Sequence, residues 1–247
     1  MAEAARRRDR ITLDRTYTAE DAADEERRFA GVSAPAMLAT MLPALRGRVA
    51  IVSSFGAESA VLLHLVAAID PTTPVIFTDT AHMFPETLAY RDTLIARLWL
   101  SDVRTIRPDP LRLAARDGAN ERWTYDPDGC CEIRKVEPLA RALTGFGAWV
   151  SGRKGFQAGT RRALPRFEVD SGRLKINPLA DWSKADLDGY FAAYDLPRHP
   201  LEAQGYRSIG CAPCTSPVSP GEDLRAGRWR GIDKVECGIH RSPPSGH

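Results

Sequence analysis

Four of the five cysteines in this chain fall into two tight pairs, Cys130-Cys131 and Cys211-x-x-Cys214, and the fifth, Cys237, stands apart in Glu236-Cys-Gly-Ile-His240. Two thiol pairs can close a four-thiolate metal site, for which zinc and an iron–sulfur cluster are the common occupants. Zinc sites usually draw on spaced knuckles. The adjacent pair therefore suits a [4Fe–4S] cubane better, because its ligands spread over separate irons. Cys237 is left free to act as a nucleophile if cations such as Arg225 and Arg228 stabilise its thiolate, with His240 a further candidate for charge balance. The plainer reading of Cys237 is a chance cysteine on an exposed tail. Arg134 and Lys135 lie one helical turn beyond the first pair, so cations stand beside the sulfurs, able to offset their charge and bridge to an anion; a solvated helix face is the alternative.

These residues need a frame. Arg48–Val52, Pro74–Thr78, Val103–Ile106 and Ala148–Ser151 are short apolar, β-branched runs separated by helical patterns, which predicts an α/β domain with a mostly parallel sheet. Ser53-Ser-Phe-Gly-Ala-Glu-Ser59 and Asp79-Thr-Ala-His-Met-Phe84 follow the first two strands, at carboxyl ends where such sheets bind ligands. The first loop lacks the Gly-Lys-Ser/Thr ending of a Walker loop. It can hold a phosphate or sulfate at the positive end of the next helix, or Ser53 or Ser54 can simply cap that helix. The basic loop Gly152-Arg-Lys-Gly-Phe-Gln157 also favours an anion. His64 reads as a packed helix histidine. Cys130–Leu143 is predicted to be helical until Pro138 breaks or bends it. Phe167–Ile176 reads as a hairpin turning at Asp170-Ser-Gly172, and Asp181 or Ser183 as the cap of a helix from about Lys184 to Tyr194.

Composition narrows the classes. The 247 residues are 43% hydrophobic, and 34 Lys and Arg against 32 Asp and Glu leave a formal charge of +2, so nothing demands a nucleic-acid or membrane partner. The first residues do not resemble a signal peptide, and a cytoplasmic protein is expected. In that reducing compartment an odd number of cysteines, mostly paired, points to metal or redox chemistry rather than disulfides.

The ordered set Ser53–Ser59, Asp79–Thr87, Cys130-Cys-Glu-Ile-Arg-Lys135, Cys211-Ala-Pro-Cys214, Arg225-Ala-Gly-Arg-Trp229 and Glu236–His240 resembles the assimilatory sulfonucleotide reductases, specifically the iron–sulfur adenylyl-sulfate reductases. The likeness covers about Val49 to His240. It implies an adenine-nucleotide α-hydrolase-like, Rossmann-like three-layer fold. The implied division is a flexible arm over 1–30, a nucleotide-binding domain with an iron–sulfur site over 31–219, and a mobile catalytic tail over 220–247. It implies that adenosine 5′-phosphosulfate is reduced to sulfite and AMP through an S-sulfocysteine on Cys237, which thioredoxin or a glutaredoxin-like dithiol resolves. Cys130, Cys131, Cys211 and Cys214 would hold a [4Fe–4S] cluster, and Lys135 would link cluster and substrate. Substrate contacts would come from Ser53, Ser54, Phe55, Gly56, Ser59, Asp79, Thr80, Arg134, Lys135, Arg153, Gln157, Arg225 and Arg228. A homo-oligomer is a family-level expectation. Two departures stand out: Ala81 replaces the glycine usual after Asp-Thr, and Ile239 the usual leucine. The nearest rivals are a reductase of 3′-phosphoadenylyl sulfate, or one using both substrates, and, from another class, a nucleotide-binding redox sensor with a structural metal site.

Overall fold

The apolar runs become β1 (Val49–Val52), β2 (Val75–Thr78), β3 (Val103–Ile106) and β4 (Ala148–Ser151), joined by β5 (Phe167–Asp170) and β6 (Arg173–Ile176) in one sheet of order β3-β2-β1-β4-β6-β5. Every neighbouring pair is parallel except the β5–β6 hairpin, which turns through Ser171 and Gly172, both at positive φ (51° and 75°). The structure is a computed structural model, and it describes residues 16–240 except Ala158, Arg162, Asp233 and Val235. Its helices are α1 (Ala19–Arg28), α2 (Ala34–Ala44), α3 (Ser59–Ala67), α4 (Pro85–Leu98), α5 (Pro110–Asp117), α6 (Arg122–Tyr125), α7 (Pro127–Cys131), α8 (Glu137–Ala142) and α9 (Lys184–Ala193). Among the described residues no helix is long and apolar enough to cross a membrane.

Side chains on a strand alternate between faces. Val49, Ile51, Val75, Phe77 and Val150 join a core with α2, α3, α4 and α9, whereas Ala50, Ile76 and Trp149 join a second core with Leu139 and Leu143 at α8. The result is the expected three-layer α/β fold. Only residues 16–30 of the arm read over 1–30 are described. Thr18 and Asp21 close a capping box on α1, and Glu26 accepts a hydrogen bond at 3.0 Å from the Phe167 N–H on the edge strand.

Several local readings resolve. His64 is a packed helix histidine, its Nδ1 2.8 Å from the Tyr190 hydroxyl, and Ser183 rather than Asp181 caps α9. Neither Ser53 nor Ser54 caps α3. The capping position is Glu58, without a side-chain bond, and Ser53 Oγ instead accepts the Phe55 N–H at 3.2 Å inside the loop. Pro138 does not break its helix. A π turn over Glu132–Val136 separates α7 from α8 and leaves Pro138 in the first turn of α8, where a missing N–H is tolerated.

The chain moves outward from β1 through β2 to β3, then returns to the other side of β1 with β4. The order reverses between β1 and β4, and the crevice outside their carboxyl ends is the place for a ligand. In the loop beyond β2, Ala81 takes φ 60°, the left-handed region where a Cβ costs roughly 1–2 kcal/mol. Glycine would remove that cost while adding freedom to the unfolded chain. Ala81→Gly is therefore expected to leave stability unchanged or raise it by up to about 1 kcal/mol; urea unfolding that shows a loss larger than this would contradict the strain assigned to Ala81.

Candidate active site

A cleft opens at the reversal point. From the loop after β1 its wall takes Ser53, Ser54, Gly56 and Ser59, and from the loop after β4 it takes Arg153 and Gln157. Lys135 reaches it from the π turn, and Arg225, Arg228, Cys237 and His240 from the C-terminal segment. Four residues that the motifs suggested for substrate lie elsewhere. Phe55 is wholly buried against Phe77, and Asp79 pairs with Arg107 at 3.0 Å. The Thr80 hydroxyl meets Cys211 Sγ at 3.2 Å. Arg134 is buried beneath the site, where Asp117 accepts from its Nε and Nη2 at 3.1 and 2.7 Å and the Thr80 carbonyl from its Nη1 at 2.9 Å.

The wall also holds Glu58, Lys154, Arg161 and Arg207, to which the motifs give no role. Lys154 and Arg161 carried a signal in the basic character of their loop; Arg207 carried none. Glu58 Oε2 accepts from Lys154 Nζ and Gln157 Nε2, both at 2.8 Å, and Gln157 Oε1 accepts from Arg161 at 2.9 Å. Opposed charges thus tie the two loops together.

Positive charge still predominates. Burial, followed by the charge of Arg161, pushes both Arg153 and Arg225 down to about 10. Lys175 stands behind the wall, its Nζ 4.9 Å from the centre of the Trp149 ring, and burial and then Arg153 push it down to about 7. His240 stacks on the same indole at 6.3 Å and 12°, and burial and then Lys175 hold it well below the usual histidine range. It is a neutral imidazole whose buried Nδ1 has no partner among the described residues. Cations that disfavour one another in this way are relieved by an anion, so the cleft suits a multiply charged ligand.

Beside the cleft, a smaller chamber is lined by Cys130, Cys131, Cys211 and Cys214, with Lys135 shared between the two. All four thiols are free. Burial pushes Cys130 up to about 11 and raises Cys214, so as free thiols both are protonated and metal binding would release their protons. The surroundings fit a bound anionic thiolate cluster. Lys135 is disfavoured by burial, yet the sulfurs of Cys211, Cys237 and Cys131 outweigh this and hold it above the usual lysine range. Lys234, which the sequence did not single out, points its Nζ at Cys131 Sγ from 3.3 Å and pairs with Asp128 at 2.6 Å. His82, Asp117 and Cys130 also offer ligand atoms within 4.8 Å of one another, but Asp117 is already taken by Arg134.

The segment that carries Cys237 is docked. Trp229 is buried at φ 49°, its main-chain N–H donates to the Cys214 carbonyl at 3.1 Å, and its ring lies under Arg228 at 4.3 Å and Lys234 at 5.5 Å. Further on, Ile239 joins the second core. Gly238 lies so near the π turn that a Cβ there would sit 2.9 Å from Val136 Cγ2. A hydrogen bond from the Cys131 thiol, then the charges of Lys135 and Arg228, hold Cys237 well below the usual thiol range despite its burial. Cys237 thus faces the cleft beside the cations an anionic ligand would use.

The fold and cleft define a three-layer α/β protein whose sheet-edge cleft is lined by cations and by one cysteine, Cys237. Residues 48–217 match the model of the phosphoadenosine phosphosulfate reductase domain, and the chain belongs to that family. It is 55% identical over 194 residues to the adenosine 5′-phosphosulfate reductase of Mesorhizobium japonicum, covering 78% of this chain and 76% of that one. To the phosphoadenosine 5′-phosphosulfate reductase of Gloeobacter violaceus it is 39% identical over 221 residues, covering 87% and 91%. The crystal structure of phosphoadenylyl-sulfate reductase from Candida auris, a phosphate complex, superposes with a TM-score of 0.69 at 26% identity over 82% of this chain and 98% of that one.

Arg134 offers a test of the architecture that needs no substrate. Removing one partner of a buried ion pair strands the other charge and costs about 3–5 kcal/mol. Asp117→Asn is expected to lower unfolding stability by that order in chemical denaturation; a change below about 1 kcal/mol would show that the pair does not anchor the site.

Proposed function

We propose that this chain reduces adenosine 5′-phosphosulfate to sulfite and AMP, with Cys237 as the nucleophile. The observation that carries the reading is the placement of Cys237 at a cleft walled by Lys135, Arg153, Arg225 and Arg228. A thiolate approaching an anionic phosphosulfate meets repulsion, and cations fixed around the path lower that barrier. Cys237 Sγ attacks the sulfate sulfur. The bond from that sulfur to the bridging oxygen breaks, its electron pair leaves on the phosphate of AMP, and an S-sulfocysteine remains. Two electrons from a dithiol of the thioredoxin or glutaredoxin type then release sulfite, regenerate the Cys237 thiol and leave the dithiol as a disulfide.

The chain's own groups divide this work. Main-chain N–H groups and hydroxyls of the loop Ser53–Ser59 suit the phosphate, at the N-terminal end of α3. Lys135, Arg225 and Arg228 suit the sulfate oxygens nearest Cys237, and neutral His240 supplies an uncharged hydrogen-bonding atom. Cys130, Cys131, Cys211 and Cys214 would hold a [4Fe–4S] cluster, which when bound supplies a negatively charged scaffold beside Lys135. With four cysteine ligands it offers no open iron to the substrate. Such chemistry belongs in a reducing cytoplasm.

Incubating the protein with labelled adenosine 5′-phosphosulfate in the absence of reductant is expected to place one sulfonate on the Cys237 peptide, and Cys237→Ser to abolish it; an unmodified Cys237 in cluster-loaded protein would end this reading in favour of a redox sensor. Faster turnover of the 3′-phosphorylated nucleotide would reassign the substrate. For the metal site, about four irons and four sulfides per chain with a broad visible absorption are expected, lost in Cys211→Ser; one zinc per chain would overturn the cluster.

A further inference from the structure

Glu236, immediately before Cys237, is the only carboxylate that the described part of the tail beyond Trp229 places against the cleft's cations. Its Oε1 accepts from Arg161 Nε at 2.5 Å and its Oε2 from Arg161 Nη2 at 2.6 Å, a two-pronged pair. Arg225 Nη2 approaches the same Oε2 at 3.5 Å. All three side chains are largely buried: 7% exposed for Arg161, 13% for Arg225 and 14% for Glu236. Both arginines line the cleft. Arg161 is held from its other side by Gln157, and through it by Glu58 and Lys154.

We propose that Glu236 is a positioning residue that latches the nucleophile-bearing tail onto the ligand cleft. The proposal rests on the reading of Cys237 as nucleophile. The paired geometry fixes direction as well as distance, because a planar guanidinium bonded through Nε and Nη2 leaves a carboxylate little freedom to rotate. With Glu236 fixed, the next residue can present its thiol to only one region. Gly238 closes the far side, where its backbone lies against Val136, so Cys237 is held on both flanks. The surrounding contacts explain why a carboxylate is needed. Arg153, Arg161 and Arg225 repel one another in a partly dehydrated space, and Glu236 offsets the charge of Arg161 and Arg225 when the tail is down. Lifting the tail exposes that repulsion again.

Hydrogen exchange on the cluster-loaded, ligand-free protein tests the latch apart from the chemistry. In Glu236→Gln, amides of a peptide spanning residues 230–240 are expected to exchange at least tenfold faster than in the parent protein, while peptides from β1 and β4 keep their protection. Glu236→Asp, which keeps the charge, should fall between the two. Single-turnover sulfonation of Cys237 in Glu236→Gln should slow about tenfold in its limiting rate, with a smaller change in the nucleotide concentration giving half that rate. Unchanged exchange of the tail in Glu236→Gln overturns the latch, as does faster exchange in Glu236→Asp equal to that in Glu236→Gln. A parent protein with a protected tail that never acquires a sulfonate refutes the functional reading instead.

Discussion

The buried pair of Arg134 and Asp117 is the constraint on which the site depends. Both side chains are 1% exposed, and a guanidinium taken this far from water must have every donor aimed at an acceptor. Asp117 ends α5, the Thr80 carbonyl lies at the start of the loop beyond β2, and Arg134 bonds to both from the π turn. One residue therefore registers the Cys130-Cys131 helix against the carboxyl edge of the sheet. Through the contact between the Thr80 hydroxyl and Cys211 Sγ, the same registration reaches the second cysteine pair. Elements beside both cysteine pairs are thus tied to one buried ion pair.

With the sulfurs placed, the remaining problem is charge. Cys237 arrives from the far end of the chain at a cleft already crowded with lysine and arginine, most of them deprived of water. In free solution such a cluster would disperse. Here α3, the β4 loop and the Trp229 turn hold it, and carboxylates from Glu58, Glu168 and Glu236 offset only part of it. The unspent positive charge is what makes the cleft selective for anions and what favours the thiolate of Cys237. Lys135 belongs to both chambers, so the charge state of the thiol site and the affinity of the cleft are coupled through one ammonium group.

Much of this was legible in the sequence because it is written in local patterns. Apolar runs at strand length, loops of small residues at their carboxyl ends and the four-plus-one division of cysteines all rest on neighbours in the chain. What was not legible rests on long-range pairing. Arg134 reads as a second cation beside Lys135, and only a buried carboxylate seventeen positions away turns it inward. Asp79, Thr80 and Phe55 lie in the right loops, but the motif does not say which side chains face the cleft and which support it. The π turn adds to this, because it lets Arg134 and Lys135, adjacent in sequence, serve the interior and the ligand cleft separately. Lys234 and Arg207 escaped notice for a related reason, since each gains its role only through residues far away in sequence.

The seating of Trp229 on the Cys214 carbonyl also sets a length. Cys237 lies eight positions further along, and even a fully extended chain of that length spans no more than roughly 28 Å. As long as the indole stays buried, the thiol can explore only a hemisphere of that radius centred on the second cysteine turn. On the proposed chemistry, a dithiol partner that collects the sulfur product would have to dock within that hemisphere, and its own reactive group would have to reach inward for whatever distance the tether does not cover.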